Sequence, residues 1–309
     1  MLRLFLFFLG LHYQSTIPTS SVFLPPTECK RLPVFVQKIG FDVQRTGFST
    51  SERKQKGLVF VEFSADGNPE KNRSYQAPSW KQAGAMGPIV LDEEGNVFCA
   101  PVPMINVLDN PPELQNILYK VESRTSEMRS FLDLPTETAI SFTKNPAQNP
   151  FGLLGLAYDC DTKTIYATSV KGSSLYEEVG CVWAIRKSDK TVISSVKKID
   201  AMGVGIGIIN NQKRLFIGKT RTGDIVSYPL NGDGSIDANK PQLEISLDNL
   251  GARGDDRARK IRFNAQNEMV VQGVEFYYNL IAPTEKQETS YVFSYNQMAQ
   301  RWVFVRLGT

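Results

Sequence analysis

A repeated unit of four short apolar segments limits the fold of this chain more than any other feature of the sequence. In the clearest copy, apolar segments at 152–158 and 164–170 flank a short turn of polar residues. A longer stretch leads to another apolar segment at 181–185, a turn at 187–190, and a last segment that reaches residue 199. Short apolar segments between turn residues are typical of strands, so the unit predicts two hairpins joined by a longer connection.

The same order of segments recurs along the chain. Three more copies contain it, at 87–132, 204–247 and 260–307. An incomplete copy precedes them, in which residues 58–63 match a third strand and residues 34–48 supply the two strands before it. Four-stranded units with a period of roughly 50 residues are typical of β-propellers. We therefore predict an all-β fold, a β-propeller of four-stranded blades with five or six blades, in one domain over residues 32–307.

The connections between the predicted strands differ in length in a regular way. In a propeller, the first-to-second and third-to-fourth connections lie on one face, and here most of them are tight turns of Asn, Asp and Gly. The connections of the opposite face are mostly long, at 103–115, 133–150, 171–180, 248–259 and 275–289. Two segments break the pattern, a short one at 220–223 and a long one at 230–240. We expect the functional surface on the loop-rich face, around the mouth of the central channel.

The amino terminus predicts export. Residues 4–11 form an apolar run behind Arg3, which has the length of a signal-peptide core. We predict a signal peptide over residues 1–21 and a secreted or periplasmic protein; an unusual or misassigned start of the chain is the alternative. No internal apolar segment reaches the ~18 residues of a membrane span.

Charge and composition bear on the partners of the protein. The formal net charge is only +3, with 35 basic and 32 acidic residues. This balance does not indicate a nucleic-acid surface. We expect a monomer that binds a small-molecule ligand, without a nucleic-acid partner and without a membrane span.

The four cysteines show no metal-binding spacing. Cys160 falls in a tight turn and Cys181 at the start of a third strand, so the two lie at opposite ends of their blade, and a disulfide between them is disfavoured. Buried free thiols are the prediction for the cysteines, including Cys29 and Cys99.

Histidine chemistry is excluded by the sequence. His12 is the only histidine, and it lies inside the predicted signal peptide. The mature chain therefore lacks a histidine base or zinc ligand, and the remaining oxygen donors suit calcium or no metal. A glycine run at 203–207 opens a predicted inner strand rather than a helix, which favours close backbone approach over phosphate binding.

The blade period, with inner strands entered through residues 149–153 and 200–203, resembles the six-bladed propellers of the regucalcin and gluconolactonase family. The resemblance covers most of residues 32–307. It implies a divalent cation, usually calcium, held at the channel mouth by a glutamate, an asparagine and an aspartate, and hydrolysis of sugar lactones. Asn149 and Asp200 match the asparagine and the aspartate. Met86 stands before a Gly-Pro pair where the family has its glutamate.

These considerations lead to a mechanistic hypothesis and an alternative. In the hypothesis, Asn149, Asp200 and Asp256 hold calcium, and Asp200 and Asp256 are the catalytic residues of a metal-dependent lactonase- or esterase-type hydrolase. The ion would polarise an ester or lactone carbonyl and activate water. In the alternative, the propeller is not an enzyme and grips a protein or glycan partner through residues 103–115 and 275–289.

Two polar groups are candidates for ligand binding at the same mouth. The first contains Asp255, Asp256, Arg257, Arg259 and Lys260. Either Arg257 and Arg259 bind a carboxylate or phosphate, or the group forms an internal salt-bridge network. The second contains Glu275, Tyr277, Tyr278 and Asn279. Its tyrosines either stack on a sugar or pack against a neighbouring blade.

Overall fold

The computed structural model describes residues 23–24, 29, 31–50, 55–103, 110–136, 149–279 and 287–308. Within these residues the chain folds as a five-bladed β-propeller whose blades are antiparallel sheets, which confirms the predicted fold class. The strands are β1 (Phe23–Leu24), β2 (Thr46–Ser49), β3 (Val59–Glu62), β4 (Arg73–Tyr75), β5 (Met86–Leu91), β6 (Val97–Pro101), β7 (Ile117–Val121), β8 (Met128–Asp133), β9 (Leu153–Asp159), β10 (Thr164–Ser169), β11 (Cys181–Arg186), β12 (Thr191–Lys197), β13 (Ala201–Ile209), β14 (Gln212–Lys219), β15 (Asp224–Pro229), β16 (Gln242–Ser246), β17 (Arg257–Phe263), β18 (Glu268–Val274), β19 (Thr289–Asn296) and β20 (Arg301–Leu307). The helices are α1 (Phe35–Lys38) and 3₁₀ turns at Val43–Arg45, Pro69–Lys71, Pro78–Ala83 and Pro112–Leu114.

Each blade pairs its strands in chain order. Blade 1 contains β2 to β4, blade 2 contains β5 to β8, blade 3 contains β9 to β12, blade 4 contains β13 to β16, and blade 5 contains β17 to β20. The complete copies of the sequence repeat are blades 2 to 5. Strand β1 adds to the free edge of β13, where Phe23 lies opposite Ile209.

Blade 1 differs from its prediction. Residues 34–48 were predicted to supply two strands, but they contain α1, a 3₁₀ turn and the first part of β2. Strand β3 is the middle strand of a three-stranded sheet rather than the third strand of four. The reason is packing, because α1 buries Phe35 against the rings of Phe60 and Trp80. A helical turn presents adjacent apolar residues to one side better than a strand does.

The core consists of apolar clusters in the seams between successive blades. Phe60 and Met86 belong to the cluster that joins blades 1 and 2, and Ile206 belongs to the cluster that joins blades 3 and 4. The inner strands of blades 4 and 5 approach especially closely. A Cβ added to Gly203 would lie 2.5 Å from the carbonyl oxygen of Ala258, and one on Gly205 would lie 2.8 Å from that of Ile261. This close approach is the role predicted for the glycine run.

The inner strands of blades 2 to 5 share an irregular register near the end where they begin. The shifts fall between Met86 and Ile89 in β5, between Thr168 and Ser169 of β10 opposite β9, between Ala201 and Val204 in β13, and between Ala258 and Lys260 in β17. A bulge bends a strand and redirects its side chains. At the mouth of the channel, the first residues of each inner strand therefore depart from the regular pairing of their sheet.

The short-turn face, formed by the first-to-second and third-to-fourth connections, is held together by ion pairs between blades. Lys187 of blade 3 lies 3.1 Å from the buried carboxylate of Asp92 in blade 2. Lys213 of blade 4 lies 2.8 Å from Asp159 of blade 3. The two lysines fix adjacent blades relative to each other at this face.

An amino-terminal strap, residues 23–24, 29 and 31–36, crosses the same face. The ring of Phe23 packs on Trp302 of blade 5, with centroids 4.9 Å apart. The amide of Arg31 donates to the carbonyl of Asp92 in blade 2 at 3.4 Å. The amide of Phe35 donates to Ser123 of the same blade at 2.9 Å. The strap therefore contacts blades on both sides of the channel.

The strap corrects the prediction for the cysteines. Cys29 forms a disulfide with Cys160, whose Cα atoms are 6.0 Å apart, whereas Cys99 and Cys181 are buried and not in a disulfide. Cys29 precedes the repeat, and its proximity to blade 3 depends on the path of the strap. Local sequence patterns do not encode that path.

The predicted signal peptide at residues 1–21 lies outside the described residues. In the part of the chain that the structure describes, no helix has both the length and the apolar character required to cross a membrane.

Candidate functional site

The loop-rich face carries the entries of the inner strands and the second-to-third connections. The connections at 102–116, 170–180 and 275–288 are long, as predicted, and 220–223 is the predicted short exception. On the opposite face, the connection at 230–241 is long, as predicted.

Asp200 immediately precedes β13 and is fully buried at this face. Its Oδ1 accepts hydrogen bonds from the hydroxyl of Ser173 and, at 2.9 Å, from the amide of Gly180. Its Oδ2 accepts from Nε of Arg221 at 3.0 Å and from the hydroxyl of Tyr278 at 2.6 Å. These donors come from the second-to-third connections of blades 3, 4 and 5. One carboxylate therefore joins three loops.

The environment of Asp200 alters its ionisation. Burial raises the pKa of this carboxyl, while hydrogen bonds from Ser173 and Tyr278 and the charge of Arg221 oppose the increase. Burial also raises the pKa of Tyr278, and its hydrogen bond to Asp200 adds to that increase. The hydroxyl of Tyr278 therefore stays protonated and acts as a donor at neutral pH.

Arg221 is a site residue that the sequence analysis missed. Besides Asp200, its guanidinium donates to the carbonyl oxygens of Ser174 at 2.7 Å and Leu175 at 3.1 Å. It also lies 5.2 Å from the centroid of the Tyr278 ring. The only sequence signal was its position in the one short connection predicted for this face, because a short loop must position its side chain close to the channel.

Asp256 immediately precedes β17 and is also fully buried. Its Oδ1 accepts from Nε of Arg253 at 2.7 Å. Its Oδ2 accepts from Nη2 of the same arginine at 3.1 Å and from the hydroxyl of Tyr291 at 2.7 Å. Burial disfavours ionisation of Asp256, but the hydrogen bonds from Arg253 and Tyr291 outweigh it and hold the pKa of this carboxyl below its ordinary value.

Asn149 precedes β9, in a place that corresponds to those of Asp200 and Asp256. Its Oδ1 accepts from the amide of Phe151 at 2.9 Å, and its Nδ2 donates to the carbonyl of Val170 at 2.7 Å. The side chain thus fastens the entry of β9 to the end of β10.

The predicted calcium ligands do not fit the ion in this arrangement. Calcium takes about 6–8 oxygen ligands at ~2.3–2.6 Å. Both carboxylate oxygens of Asp200 and Asp256 instead accept hydrogen bonds from arginines and hydroxyls, and the amide oxygen of Asn149 accepts from the backbone. Among the described residues, no three histidine, cysteine, aspartate or glutamate side chains form a group suited to a metal ion. Calcium binding stays a prediction.

The predicted anion-binding arginines are engaged within the protein. Arg257 donates to the carbonyl of Thr220 at 3.0 Å, to the carbonyl of Asp255 at 2.7 Å, and to the carboxylate of Asp248 at 3.2 Å. Arg259 forms an ion pair with Glu288 at 2.5 Å. The salt-bridge partners of this group lie outside it, because Asp256 pairs with Arg253, and Arg257 and Arg259 pair with Asp248 and Glu288. The sequence left open a network among the five residues themselves, and these ion pairs differ from it.

The second polar group divides into a half-buried part and an exposed part. Tyr278 points to Asp200 and packs on Phe276, with ring centroids 5.2 Å apart. The ring of Phe276 in turn packs on the ring of Phe151 at the entry of β9, with centroids 5.7 Å apart. Tyr277 has the opposite orientation: it is 41% exposed, and its hydroxyl donates to Glu275. Asn279 is also exposed.

Comparison with known proteins shows no family for this chain. No family model and no curated protein matches the chain. A glucose dehydrogenase structure is 14% identical, with 81% of this chain and 76% of that chain covered and a TM-score of 0.43. A gluconolactonase from Xanthomonas campestris is 15% identical over 70% of this chain and 65% of its own, with a TM-score of 0.42. A protein from Lactobacillus plantarum is 9% identical over 85% and 66%, with a TM-score of 0.49. The predicted distant resemblance to gluconolactonase-type propellers is confirmed as a likeness of fold.

Proposed function

We propose that this protein binds a small polar ligand of the sugar or sugar-lactone type on its loop-rich face, and that it does so as a binding protein. The observation that carries the proposal is the linkage of three loops to the buried carboxylate of Asp200. Such a linkage holds the loops in place before a ligand arrives, which reduces the ordering cost of binding.

The exposed groups next to this linkage have the chemistry that a sugar requires. Tyr277 offers a partly exposed aromatic ring, which stacks on the apolar face of a sugar. Glu275 and Asn279 lie beside it in the chain and provide acceptors and donors for hydroxyl groups. A few polar groups around an aromatic surface are typical of small-molecule sites.

The short-turn face is less suited to a ligand, because other parts of the protein already cover it and engage its polar groups. The strap crosses it, and the carboxylates of Asp92 and Asp159 in its turns bind lysines of neighbouring blades. Its polar groups therefore serve the contacts between blades, and the long loops of the other face remain for a ligand.

Hydrolysis is the mechanistic hypothesis that the sequence raised, with Asp200 and Asp256 as catalytic residues. Both carboxylates are paired with arginines, and neither presents an unengaged oxygen to a metal or to water. Binding without turnover is therefore the activity we propose.

Export is part of the proposal. The disulfide between Cys29 and Cys160 supports a secreted or periplasmic location, because such bonds persist in oxidising compartments. Fractionation of the source cells tests this point, and recovery of the chain only from a reducing compartment would contradict it.

The direct test is calorimetric titration with monosaccharides and aldonolactones, with and without calcium. We expect binding that does not require calcium and that weakens at least tenfold in Tyr277→Ala. Met298→Ala is the matched control, because Met298 is 97% exposed in a turn of the short-turn face. Absence of binding, or equal binding by Tyr277→Ala, would overturn the proposal. Calcium-dependent release of aldonic acid would establish the hydrolase instead.

A further inference from the structure

The connection between β10 and β11 contains a turn that displays two large side chains. The amide of Ser174 donates to the carbonyl of Glu177 at 2.9 Å, which closes a four-residue turn. The central residues of that turn are Leu175, 69% exposed, and Tyr176, 93% exposed. We name residues 171–180 the tyrosine loop.

The tyrosine loop is held rigidly even though its tip is exposed. The hydroxyl oxygen of Ser174 accepts from the amides of Tyr176 at 3.3 Å and Glu177 at 3.2 Å. The hydroxyl oxygen of Ser173 accepts from the amide of Val179 at 3.0 Å. Arg221 holds the same turn from the channel side. A ring displayed on a preorganised loop loses little conformational entropy when it binds a ligand.

The tyrosine loop and the segment that carries Tyr277 meet at Arg221. The guanidinium of Arg221 donates to the carbonyls of the tyrosine loop and lies over the ring of Tyr278, at 5.2 Å from its centroid. Tyr176 is one residue from a carbonyl partner of Arg221, Leu175, and Tyr277 directly precedes Tyr278. Two exposed tyrosines therefore lie on separate loops that are fixed to the same arginine and the same carboxylate.

We propose that Tyr176 and Tyr277 form two subsites for one linear, neutral oligosaccharide. This inference rests on the proposed function and deepens it, because it names a ligand longer than one sugar ring. Stacking on an aromatic ring recognises one sugar unit, so two rings on separate loops suit successive units.

The charges beside the two rings favour a neutral sugar. Glu177 follows Tyr176 and is exposed, and Glu275 accepts from the hydroxyl of Tyr277. Carboxylates accept hydrogen bonds from sugar hydroxyls and repel the carboxylates of acidic sugars.

The test is calorimetric titration with glucose, galactose, and the β-1,4-, β-1,3- and α-1,4-linked disaccharides and tetrasaccharides of these sugars. We expect affinity to rise at least tenfold from the monosaccharide to the preferred oligosaccharide. Tyr176→Ala should remove this gain and leave monosaccharide affinity unchanged, and Tyr176→Phe should keep the gain because it keeps the ring. Tyr277→Ala should weaken the binding of monosaccharides and of oligosaccharides.

The outcomes separate the two proposals. Affinity that does not grow with chain length, or a gain that persists in Tyr176→Ala, overturns the second subsite while binding of monosaccharides or lactones upholds the proposed function. Absence of binding to every sugar of this panel and to the aldonolactones overturns both. Because Tyr176 is almost fully exposed, an unchanged melting temperature is expected for both of its variants and shows that the fold is intact.

Discussion

The hydroxyl of Tyr278 donates a hydrogen bond to Oδ2 of Asp200 at 2.6 Å, although 78 positions separate the two residues in the chain. The contact joins the segment that follows β18 in blade 5 to the entry of β13 in blade 4. Because Asp200 also binds Ser173 and Arg221, this hydrogen bond fixes the segment that carries Tyr277 relative to the tyrosine loop.

Replacement of Tyr278 by Phe keeps the ring and removes this hydrogen bond, together with the 3.1 Å contact of the same hydroxyl with the hydroxyl of Thr220. A hydrogen bond to a buried charged group contributes about 2 kcal/mol, so we expect the free energy of unfolding to fall by about that amount in chemical denaturation. Tyr277→Phe is the matched control, because its hydroxyl binds Glu275 at an exposed position, and we expect a change within about 0.5 kcal/mol. Equal stability of the two variants would contradict a structural role for Tyr278.

Glu93 gives stability a specific pH dependence. Burial of this carboxyl acts to raise its pKa, but hydrogen bonds from Tyr158 and Lys187 outweigh it and lower the pKa to about 2. Because the folded pKa lies below the unfolded one, the stabilisation is complete above the ordinary pKa of 4.5 and disappears as pH falls through about 2. Glu93→Gln should therefore lower the free energy of unfolding by about 2 kcal/mol at pH 7 and by much less at pH 3.

The control for Glu93 is its neighbour. Glu94 is 63% exposed and lies 3.8 Å from the same Lys187, so Glu94→Gln should change stability by no more than about 0.5 kcal/mol at either pH. If Glu93→Gln lowers the free energy of unfolding equally at both pH values, Glu93 acts through packing rather than through its charge.

The disulfide between Cys29 and Cys160 closes a loop with a sequence separation of 131 residues. Loss of a native disulfide costs about 2–5 kcal/mol, so the double variant Cys29→Ser, Cys160→Ser should unfold at a clearly lower denaturant concentration. Reduction of the unaltered protein should have the same effect, and should have none on the double variant. Thiol titration of the unfolded, unreduced protein should detect Cys99 and Cys181 only; four reactive thiols would rule out the bond.

Gly203 tests the close approach of the inner strands. A methyl group at this position would lie 2.5 Å from the carbonyl oxygen of Ala258, a backbone atom that moves only with its strand. Gly203→Ala should lower the free energy of unfolding by about 2 kcal/mol, the typical cost of overpacking. Gly232→Ala is the matched control, because no atom lies within 4 Å of its added methyl group. Similar thermal stability of both variants would contradict the close packing of blades 4 and 5.

The sequence predicted the regular part of the fold well, because the information there is local. The apolar segments of blades 2 to 5 coincide with observed strands, for example 117–121 with β7. The turns also followed from short-range chemistry: Asp92 accepts hydrogen bonds from the amides of Glu94 and Asn96, two and four residues along the chain. Blade 1 was predicted less well because the packing of α1 on Trp80 overrides the propensity of its short segment.

The candidate site was predicted only in part. Asn149, Asp200 and Asp256 lie at the entries of inner strands, as predicted, because each stands between an inter-blade connection and the first strand of a blade. Their partners were not predicted: Arg221 lies 21 positions from Asp200, and no sequence pattern indicated Arg253 as the cation beside Asp256. A carboxylate on its own is a candidate metal ligand, and a nearby arginine makes it an internal ion pair.

The amino-acid sequence by itself determined the repeated blade, the tight turns and the face on which the long loops gather, because each depends on residues a few positions apart. Only the tertiary structure decided which groups meet across blades: the arginines that neutralise Asp200 and Asp256, the cysteine that pairs with Cys160, and the exposure of Tyr277 beside the half-buried Tyr278. These pairings depend on distances through space, which the curvature of the propeller sets and which no spacing along the chain encodes.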